Sequence, residues 1–345
     1  MPYKNKPHRI VPHIHKGRFY NHEGEKKPHV FIPSVTMLLK SHFRKQTEKA
    51  TMLNWVERSE PVQRSEQLTI TWIGHATFLI QIGTINILTD PVFGSLSLLY
   101  PRILPEGIPF KQLPPIDFVL ISHNHRDHMD AHTLQLLKHQ AGIKFLVPQG
   151  DKKWFRDRGF DKVIENNWWD HQVYVAAANG TTRIEFTFLP AFHWSQRGVF
   201  DYNKSLWGSW MISCNGTTIY FGGDTAYSHH FKCISQEFPV IDFALIPIGP
   251  CEPRSIMRTS HINAEEAGQA FRDLGAKHFI PMHWGTYFFG TDNFMLPLDR
   301  LNAWWGTANL ESDKQLHWIK AGQRITFDTP TIYQRKVPHF SLLEI

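Results

Sequence analysis

Residues Phe118–Asp130 read "FVLISHNHRDHMD", an apolar run followed at once by three histidines and two aspartates. The apolar run predicts a buried strand at Phe118–Ile121. Four side chains of the kinds that bind zinc and similar divalent ions come directly after it: His123, His125, Asp127 and His128. Because His123 and His125 are two residues apart, an extended segment can point both rings to the same side. So dense a set at the end of a strand predicts a metal site rather than a solvated loop.

The same arrangement recurs three more times along the chain. His193 follows the apolar pattern "IEFTFLPAF", Asp224 follows "TIYFGG", and His283 follows "HFIPM". Taken singly, each would be an ordinary polar group. Sheets in α/β proteins usually place their chemistry just beyond the carboxyl ends of the strands, so the recurrence predicts that these side chains converge.

The pattern from Leu68 onward predicts mixed strands and helices. "LTITWIGHATFLIQIGTINILTD" reads as successive strands, and Asn215-Gly216 supplies the turn of a second hairpin in "SWMISCNGTTIYFGGD". A helix is predicted between Asn263 and Gly275. Asn263 would cap its first turn together with Glu266, three residues later, and Gly275 would end it. Other predicted strands are Ile143–Val147, Ile184–Leu189 and Phe243–Ile248, and other predicted helices are Ala131–His139 and Trp154–Arg158. Hairpins mixed with helical crossovers predict an α/β fold, with no Gly/Ser linker between residues 68 and 330.

Charge is concentrated at the N-terminus. The chain has 37 Lys/Arg and 31 Asp/Glu. Residues 1–50 hold 11 Lys/Arg and 3 Asp/Glu, which leaves 26 Lys/Arg and 28 Asp/Glu for the rest of the chain. This segment is either attracted to an anionic membrane or nucleic acid or is a solvated tail that wraps the domain.

No secretory signal or membrane span is predicted, since the first apolar stretch, "VFIPSVTMLL", is too short. The odd number of cysteines, three, predicts reduced thiols and a cytoplasmic location, peripheral to a membrane if lipid is the substrate.

Together these residues resemble the metallo-β-lactamase superfamily. The resemblance covers nearly all of residues 68–290 and includes Asp90 in "ILTDP". It implies a four-layer αβ/βα sandwich that holds two divalent metal ions, with zinc as the expected ion. By the family pattern one ion would be bound by His123, His125 and His193, and the other by Asp127, His128 and His283. Asp224 would bridge the two ions, and Asp90 would orient a ligand histidine. We therefore expect a hydrolase domain at 67–345 and, at 1–66, a basic extension that packs on it or is partly flexible.

Within the superfamily, the closest resemblance is to the phospholipases D that hydrolyse N-acyl-phosphatidylethanolamine. It is carried by "TWIGHATFLI", "SHNHRDHMD", "NKSLWGSWMI", "GGDTAY", "IPIGPCEPR" and "HWGT", and "GRFYN" extends it upstream. The resemblance implies a phosphodiesterase that releases N-acylethanolamine and phosphatidic acid. It places His261 near the scissile phosphate and leaves the role of His75 in "WIGHAT" open. Arg126 departs from the tyrosine of the vertebrate enzymes and either pairs with a phosphate or faces solvent.

The implied mechanism follows from two adjacent cations. They would lower the pKa of a shared water to about 7, so that a metal-bound hydroxide attacks phosphorus, and would neutralise charge on a phosphoryl oxygen. Asp127 would steer that hydroxide as well as bind metal. His261 would contact the phosphate or protonate the leaving oxygen. On this interpretation Asp127 and His261 are the catalytic residues.

The substrate is less sharply determined than the metal site. The Pro-rich, apolar stretch 91–116 is either a loop that touches acyl chains or a bilayer, or an irregular segment buried against the sandwich. A soluble substrate such as a lactone or a sugar-phosphate lactone would not require such a loop. A nuclease is disfavoured because the chain beyond residue 50 is slightly acidic, so no nucleic-acid partner is expected. A non-catalytic scaffold is disfavoured because all seven ligand positions carry competent residues. The sequence leaves open whether the chain forms a homodimer.

Overall fold

The computed structural model of the protein describes residues 9–22, 48–175 and 182–328. A short hairpin of β1 (His13–His15) and β2 (Arg18–Tyr20) lies near the N-terminus. Two seven-stranded sheets form the centre of the molecule. The strands of the first sheet are β3 Leu68–Gly74, β4 Thr77–Ile82, β5 Ile85–Thr89, β6 Phe118–Leu120, β7 Lys144–Pro148, β8 Val163–Asn166 and β16 Arg324–Phe327. Those of the second sheet are β9 His171–Val175, β10 Arg183–Leu189, β11 Ser209–Cys214, β12 Thr217–Phe221, β13 Phe243–Pro247, β14 His278–Met282 and β15 Gln315–Leu316.

The two sheets are built alike. Their strand orders are β16-β3-β4-β5-β6-β7-β8 and β15-β14-β13-β12-β11-β10-β9. In the first sheet, antiparallel pairing from β16 through β5 gives way to parallel pairing from β5 to β8. In the second, antiparallel pairing from β9 to β12 gives way to parallel pairing from β12 to β15. The parallel strands of both sheets therefore deliver their carboxyl ends to loops that can carry functional side chains.

Helices cover the outer faces of both sheets. They are α1 Lys49–Leu53, α2 Ala131–Leu137, α3 Lys152–Arg156, α4 His230–Glu237, α5 Arg254–Met257, α6 Ala264–Leu274 and α7 Leu296–Thr307. Alternate residues of the central strands point to opposite sides, so Leu79 packs in the cluster that contains Leu134 of α2, whereas Ile80 packs in the cluster between the sheets. The rings of Phe118 and Phe186 meet across that space, with centroids 4.8 Å apart. These layers confirm the predicted four-layer α/β sandwich.

The predicted local signals are present in the structure. The turn of the second hairpin has positive φ at Asn215 (50°) and Gly216 (76°). Helix α6 begins with a reciprocal capping box between Asn263 and Glu266 and ends at Gly275 in the left-handed conformation. Strands β3 to β5 are confirmed within the stretch that begins at Leu68, and the other predicted strands and helices are confirmed with bounds shifted by one or two residues.

Further observations bear on the predictions about the membrane, the basic segment and the cysteines. Among the described residues, no helix combines the length and the apolarity that a membrane span requires. Most of the basic segment 1–50 lies outside the described residues, so its attraction to an anionic partner stays a prediction. Cys214, Cys233 and Cys251 are free thiols.

Candidate metal centre

The candidate ligands, and the aspartate expected to orient one of them, lie where strands of the two sheets end. Asp90 follows β5, His123 follows β6, His193 follows β10, Asp224 follows β12 and His283 follows β14. A hydrogen bond from Trp210 Nε1 to the carbonyl of Ile121, 2.9 Å long, ties the sheets together beside them. The strand ends therefore bring side chains that are far apart in sequence to one edge of the sandwich.

The first group of histidines is compact. The ring nitrogens of His123, His125 and His193 all lie within 4.8 Å of one another. His125 Nδ1 is 2.8 Å from His123 Nε2 and 3.2 Å from His193 Nε2. Three imidazole nitrogens that converge in this way can serve one metal ion.

The second group lies next to the first. His128 Nε2 and His283 Nε2 are 3.4 and 3.9 Å from Asp127 Oδ2. His75 also belongs to this group, with its Nε2 3.0 Å from the same carboxylate oxygen. The structure thus brings together the three side chains expected to bind the second ion and adds a fourth.

Asp224 lies between the two groups. Its Oδ2 is 3.9 Å from His123 Nε2 and 3.8 Å from His193 Nε2 on one side, and 3.3 Å from His128 Nε2 on the other. Its Oδ1 is 3.0 Å from His283 Nε2. A carboxylate in this position can reach ions held by either group.

Four of the histidines use their second ring nitrogen in the same way. Nδ1 of His128 is hydrogen-bonded to Asp90 Oδ2 (2.7 Å), and Nδ1 of His123 to Ser122 Oγ (2.9 Å). Nδ1 of His193 is hydrogen-bonded to the carbonyl of Ser260 (2.7 Å), and Nδ1 of His283 to the carbonyl of Gly249 (3.0 Å). A carboxylate or a carbonyl can only accept, so the imidazole Nδ1–H donates to it and the Nε2 lone pair is left facing the cluster. Such outer hydrogen bonds are the usual support of metal-binding histidines.

Buried atoms without partners show that these residues fit a metal ion. His128 Nε2, His283 Nε2 and Asp224 Oδ1 are buried and make no hydrogen bond. Buried polar atoms are nearly always satisfied in folded proteins, so three in one cluster call for an explanation. Each is an electron-pair donor of the type that divalent ions prefer. A divalent cation is therefore the group that this cluster is built to hold.

Burial sets the protonation of most of the imidazoles. It lowers the pKa of His75, His193 and His261 to about 3 and that of His125 to about 4. Burial, with His128 close by, also lowers the pKa of His123 well below the usual value. These rings are therefore neutral near pH 7, which is the form that binds metals.

The carboxylates give the cluster its charge. Burial alone would raise the pKa of Asp127 and of Asp224, but the neighbouring His128 holds both well below the usual value. Burial likewise acts to lower the pKa of His128, yet Asp224 and Asp127 raise it well above the usual value. Both carboxylates are therefore ionised near pH 7, and a bound cation would take the place of the proton that they favour on His128 Nε2. Their negative charge in a buried site favours the binding of cations.

His261 lies at the rim of the cluster. Its Nδ1 is 3.7 Å from Asp224 Oδ2, and its side chain keeps 19% of its surface exposed. Its ring centroid is 5.2 Å from that of His193. His261 is thus next to the candidate ligands and is reachable from outside.

His75 contacts the cluster more closely than its sequence indicated. Besides the contact of its ring with Asp127, its carbonyl accepts a hydrogen bond from the backbone N–H of His283, 3.1 Å away. Its own N–H donates to Thr286 Oγ1, 2.7 Å away. His75 therefore positions one candidate ligand through its ring and another through its backbone. The sequence signal for this role was its place in "WIGHAT".

The stretch 91–116 is partly buried and partly exposed. At its base Val92, Leu104 and Ile108 are buried, and the partly buried guanidinium of Arg102 donates to the carbonyls of Ile73, Val92 and Leu104. At its tip Leu98 and Leu99 are exposed, and Tyr100 packs on Phe289, whose ring adjoins that of His283. Each of the two alternatives derived from the sequence thus describes part of this stretch.

Arg126 points outward from the metal-binding loop. Its side chain is exposed, and its Nη2 is 3.4 Å from the carbonyl of Arg197. Arg197 in turn donates to the carbonyls of Asn124 and Met129. The guanidinium of Arg126 is therefore at the surface beside Asp127 rather than inside the cluster.

Comparison with known proteins identifies relatives of the chain. The family model described as the β-lactamase superfamily domain matches residues 85–284. The chain is 38% identical over 247 residues to N-acyl-phosphatidylethanolamine-hydrolyzing phospholipase D 1 of Caenorhabditis elegans, covering 68% of each chain. It is 33% identical over 246 residues to the mitochondrial enzyme of that name from Saccharomyces cerevisiae, covering 68% of this chain and 52% of the yeast protein.

A solved structure supports the fold. Igni18, a metallo-hydrolase from the archaeon Ignicoccus hospitalis, superposes with a TM-score of 0.58 at 20% identity and covers 76% of this chain and 100% of its own. At that identity the likeness concerns the fold alone. It agrees with the two-sheet architecture described above.

Proposed function

The chain belongs to the metallo-β-lactamase superfamily of metal-dependent hydrolases, and we propose that it is a binuclear phosphodiesterase that hydrolyses N-acyl-phosphatidylethanolamine-type phospholipids. The products would be N-acylethanolamine and phosphatidic acid. The observation that carries this proposal is the 38% identity to the C. elegans phospholipase over 247 residues, in a chain whose candidate metal ligands converge in the structure.

The proposed metal ligands are those that converge in the structure. His123, His125 and His193 would hold one ion, Asp127, His128 and His283 the other, and Asp224 would contact both. When bound, the ions would supply a nucleophile from water at neutral pH and offset charge on the phosphoryl oxygens; the imidazole-rich donor set favours zinc.

The other residues would position and protonate. Asp90 fixes the ring of His128 through its 2.7 Å hydrogen bond, and His75 does the same for the carboxylate of Asp127. Asp127 would orient the attacking water so that its oxygen points toward phosphorus. His261, partly exposed at the rim and neutral near pH 7, would contact the phosphate or, after taking up a proton from solvent, protonate the ethanolamine oxygen as the P–O bond breaks. Arg126 would pair with a headgroup phosphate at the entrance.

Two exposed apolar loop tips support a lipid substrate. Leu98 and Leu99 protrude from one loop, and Val199 and Phe200 from another, with Phe200 82% exposed. Both loops connect to the metal centre, the first through Tyr100 and Phe289 and the second through Trp194, whose ring centroid is 4.3 Å from that of His125. Adjacent exposed apolar pairs are typical of surfaces that meet membranes or partners. We propose that these tips enter the bilayer surface and present the lipid to the centre.

Replacing Leu98 and Phe200 by aspartate should lower turnover of substrate in vesicles by at least about tenfold. A tenfold loss corresponds to about 1.4 kcal/mol, less than the roughly 1.5–3 kcal/mol that full burial of one such side chain contributes. Turnover of a short-chain, monomeric substrate should be unchanged, because neither side chain contacts the ligands. Val240→Asp is the matched control, since Val240 is also exposed but contacts Thr218 at the opposite end of β12 from Asp224. Equal losses on vesicles and on the monomeric substrate would argue against membrane contact.

The substrate itself is tested with a panel. The purified, metal-loaded protein should release N-acylethanolamine from N-acyl-phosphatidylethanolamine, and should leave a lactone panel and a transfer-RNA precursor intact. Phosphatidylethanolamine, which lacks the N-acyl chain, shows whether that chain is required. Turnover of only the lactones or only the RNA would overturn the lipid assignment.

A further inference from the structure

The stretch "GRFYN", residues Gly17–Asn21, has no role in the function proposed above. In the structure it contains strand β2 of the β1–β2 hairpin, whose two-residue turn at Lys16 and Gly17 has positive φ at both positions. The hairpin forms its own two-stranded sheet, apart from the two large ones. Its position next to the metal centre is therefore set by particular contacts.

The side chain of Asn21 makes those contacts with the backbone of His193. Asn21 Nδ2 donates to the carbonyl of His193 at 3.0 Å, and the N–H of His193 donates to Asn21 Oδ1 at 3.2 Å. Trp207 Nε1 donates to the same Oδ1 at 2.9 Å. Asn21 is 4% exposed, so these hydrogen bonds are shielded from water. Within residues 9–22, 48–175 and 182–328, no other group bonds to either backbone atom of His193.

A second asparagine holds the hairpin in place from the other side. Asn203 Nδ2 donates to the carbonyl of Phe19, and the N–H of Phe19 donates to the carbonyl of Asn203, both at 2.8 Å. Asn203 Oδ1 also accepts from the N–H of Ser195 at 3.1 Å. The segment that carries His193 is thus joined to the hairpin by two reciprocal asparagine contacts, one at each end.

From this geometry we infer that Asn21 is a positioning residue for the metal centre. The carbonyl of Ser260 orients the ring of His193, but among the described residues only Asn21 bonds to the backbone from which that ring projects. Loss of the Asn21 amide leaves two buried backbone groups without partners and allows the His193 segment to shift. The N-terminal hairpin therefore completes the group formed by His123, His125 and His193. This inference rests on the proposed metal ligands but not on the proposed substrate.

The test measures metal retention rather than activity. Wild-type and Asn21→Leu proteins are loaded with cobalt, and the visible absorption of the bound ions is followed as a chelator is added. Leucine fills a similar volume but makes none of the three hydrogen bonds. Outer contacts to metal ligands typically change affinity by roughly 10–100-fold, so we expect Asn21→Leu to release one cobalt ion at a 10–100-fold lower chelator concentration. The second ion should be retained as in wild type.

Trp169→Phe serves as the matched control. Trp169 Nε1 donates to the carbonyl of Ile10 at 2.7 Å, so this variant loosens the same N-terminal segment without touching His193. It should release cobalt as the wild type does.

If Asn21→Leu does not fold, Asn21→Asp, which still accepts from His193 and Trp207 but cannot donate to the His193 carbonyl, should show the same selective loss. A folded Asn21 variant with the wild-type chelator profile would overturn the inference, as would a wild type that binds no cobalt; failure to hydrolyse lipid would leave it standing.

Discussion

Replacing Asp224 by alanine is expected to lower turnover by about a thousandfold or more. Asp224 Oδ2 lies within 4 Å of a nitrogen of both histidine groups, so one substitution removes a contact from each proposed ion. Outer-shell changes typically cost roughly 10–100-fold, and the loss of a shared ligand should exceed that range. The measurement is the initial rate of release of N-acylethanolamine at saturating substrate.

Asp161→Ala is the control for this prediction, because Asp161 is an exposed aspartate outside the site. It should retain wild-type turnover. Circular dichroism and thermal unfolding establish that the Asp224 variant remains folded. Retention of a tenth or more of wild-type activity in the folded Asp224→Ala protein would contradict a mechanism in which this carboxylate serves both ions.

Replacing His261 by alanine should lower turnover by roughly 10²–10⁴-fold, the range typical of a proton-transferring side chain, and leave the metal content unchanged. His261 is close to Asp224 but is partly exposed, which suits a group that meets the substrate. The seven proposed ligands do not include it. The two measurements, turnover and bound metal, therefore separate a substrate-contacting role from a ligand role.

His229→Ala provides the histidine control, since His229 is exposed at the start of α4. It should change neither quantity. Loss of metal in His261→Ala would assign His261 to the metal-binding set, together with His193 and Asp224, which lie in the same cluster. Unchanged turnover would remove it from the mechanism.

The parts of the fold that have local sequence signals could be predicted. Asn215-Gly216 required a tight turn, and Asn263, Glu266 and Gly275 marked both ends of α6, since these effects involve neighbouring residues only. By contrast, α4 begins at His230 without a side-chain cap, and Met295, which precedes α7, makes no side-chain cap hydrogen bond either. Strand β9 has a half-exposed pattern, "HQVYV", that a surface loop could share. These elements depend on tertiary packing.

The candidate site divides in the same way. The ligands could be named because four lie within six residues and the others each follow an apolar strand, so local spacing and strand order were sufficient. Apart from Asp90, whose role the family resemblance implied, the contacts that hold them could not be named. Asn21 and His193 are 172 positions apart, and His75 and Thr286 are 211 apart. No pairing rule in the sequence joins such residues before the sheets have brought them together.

The most direct measurement is the metal content of the purified protein, determined by elemental analysis for the wild type and for Asp224→Ala. If the seven imidazole and carboxylate groups form the pair of sites described above, the wild type will contain about two equivalents of transition metal, with zinc predominant, and the variant clearly less. A wild type with well under one equivalent after metal loading, or a variant with the same content as the wild type, would contradict this account of the centre.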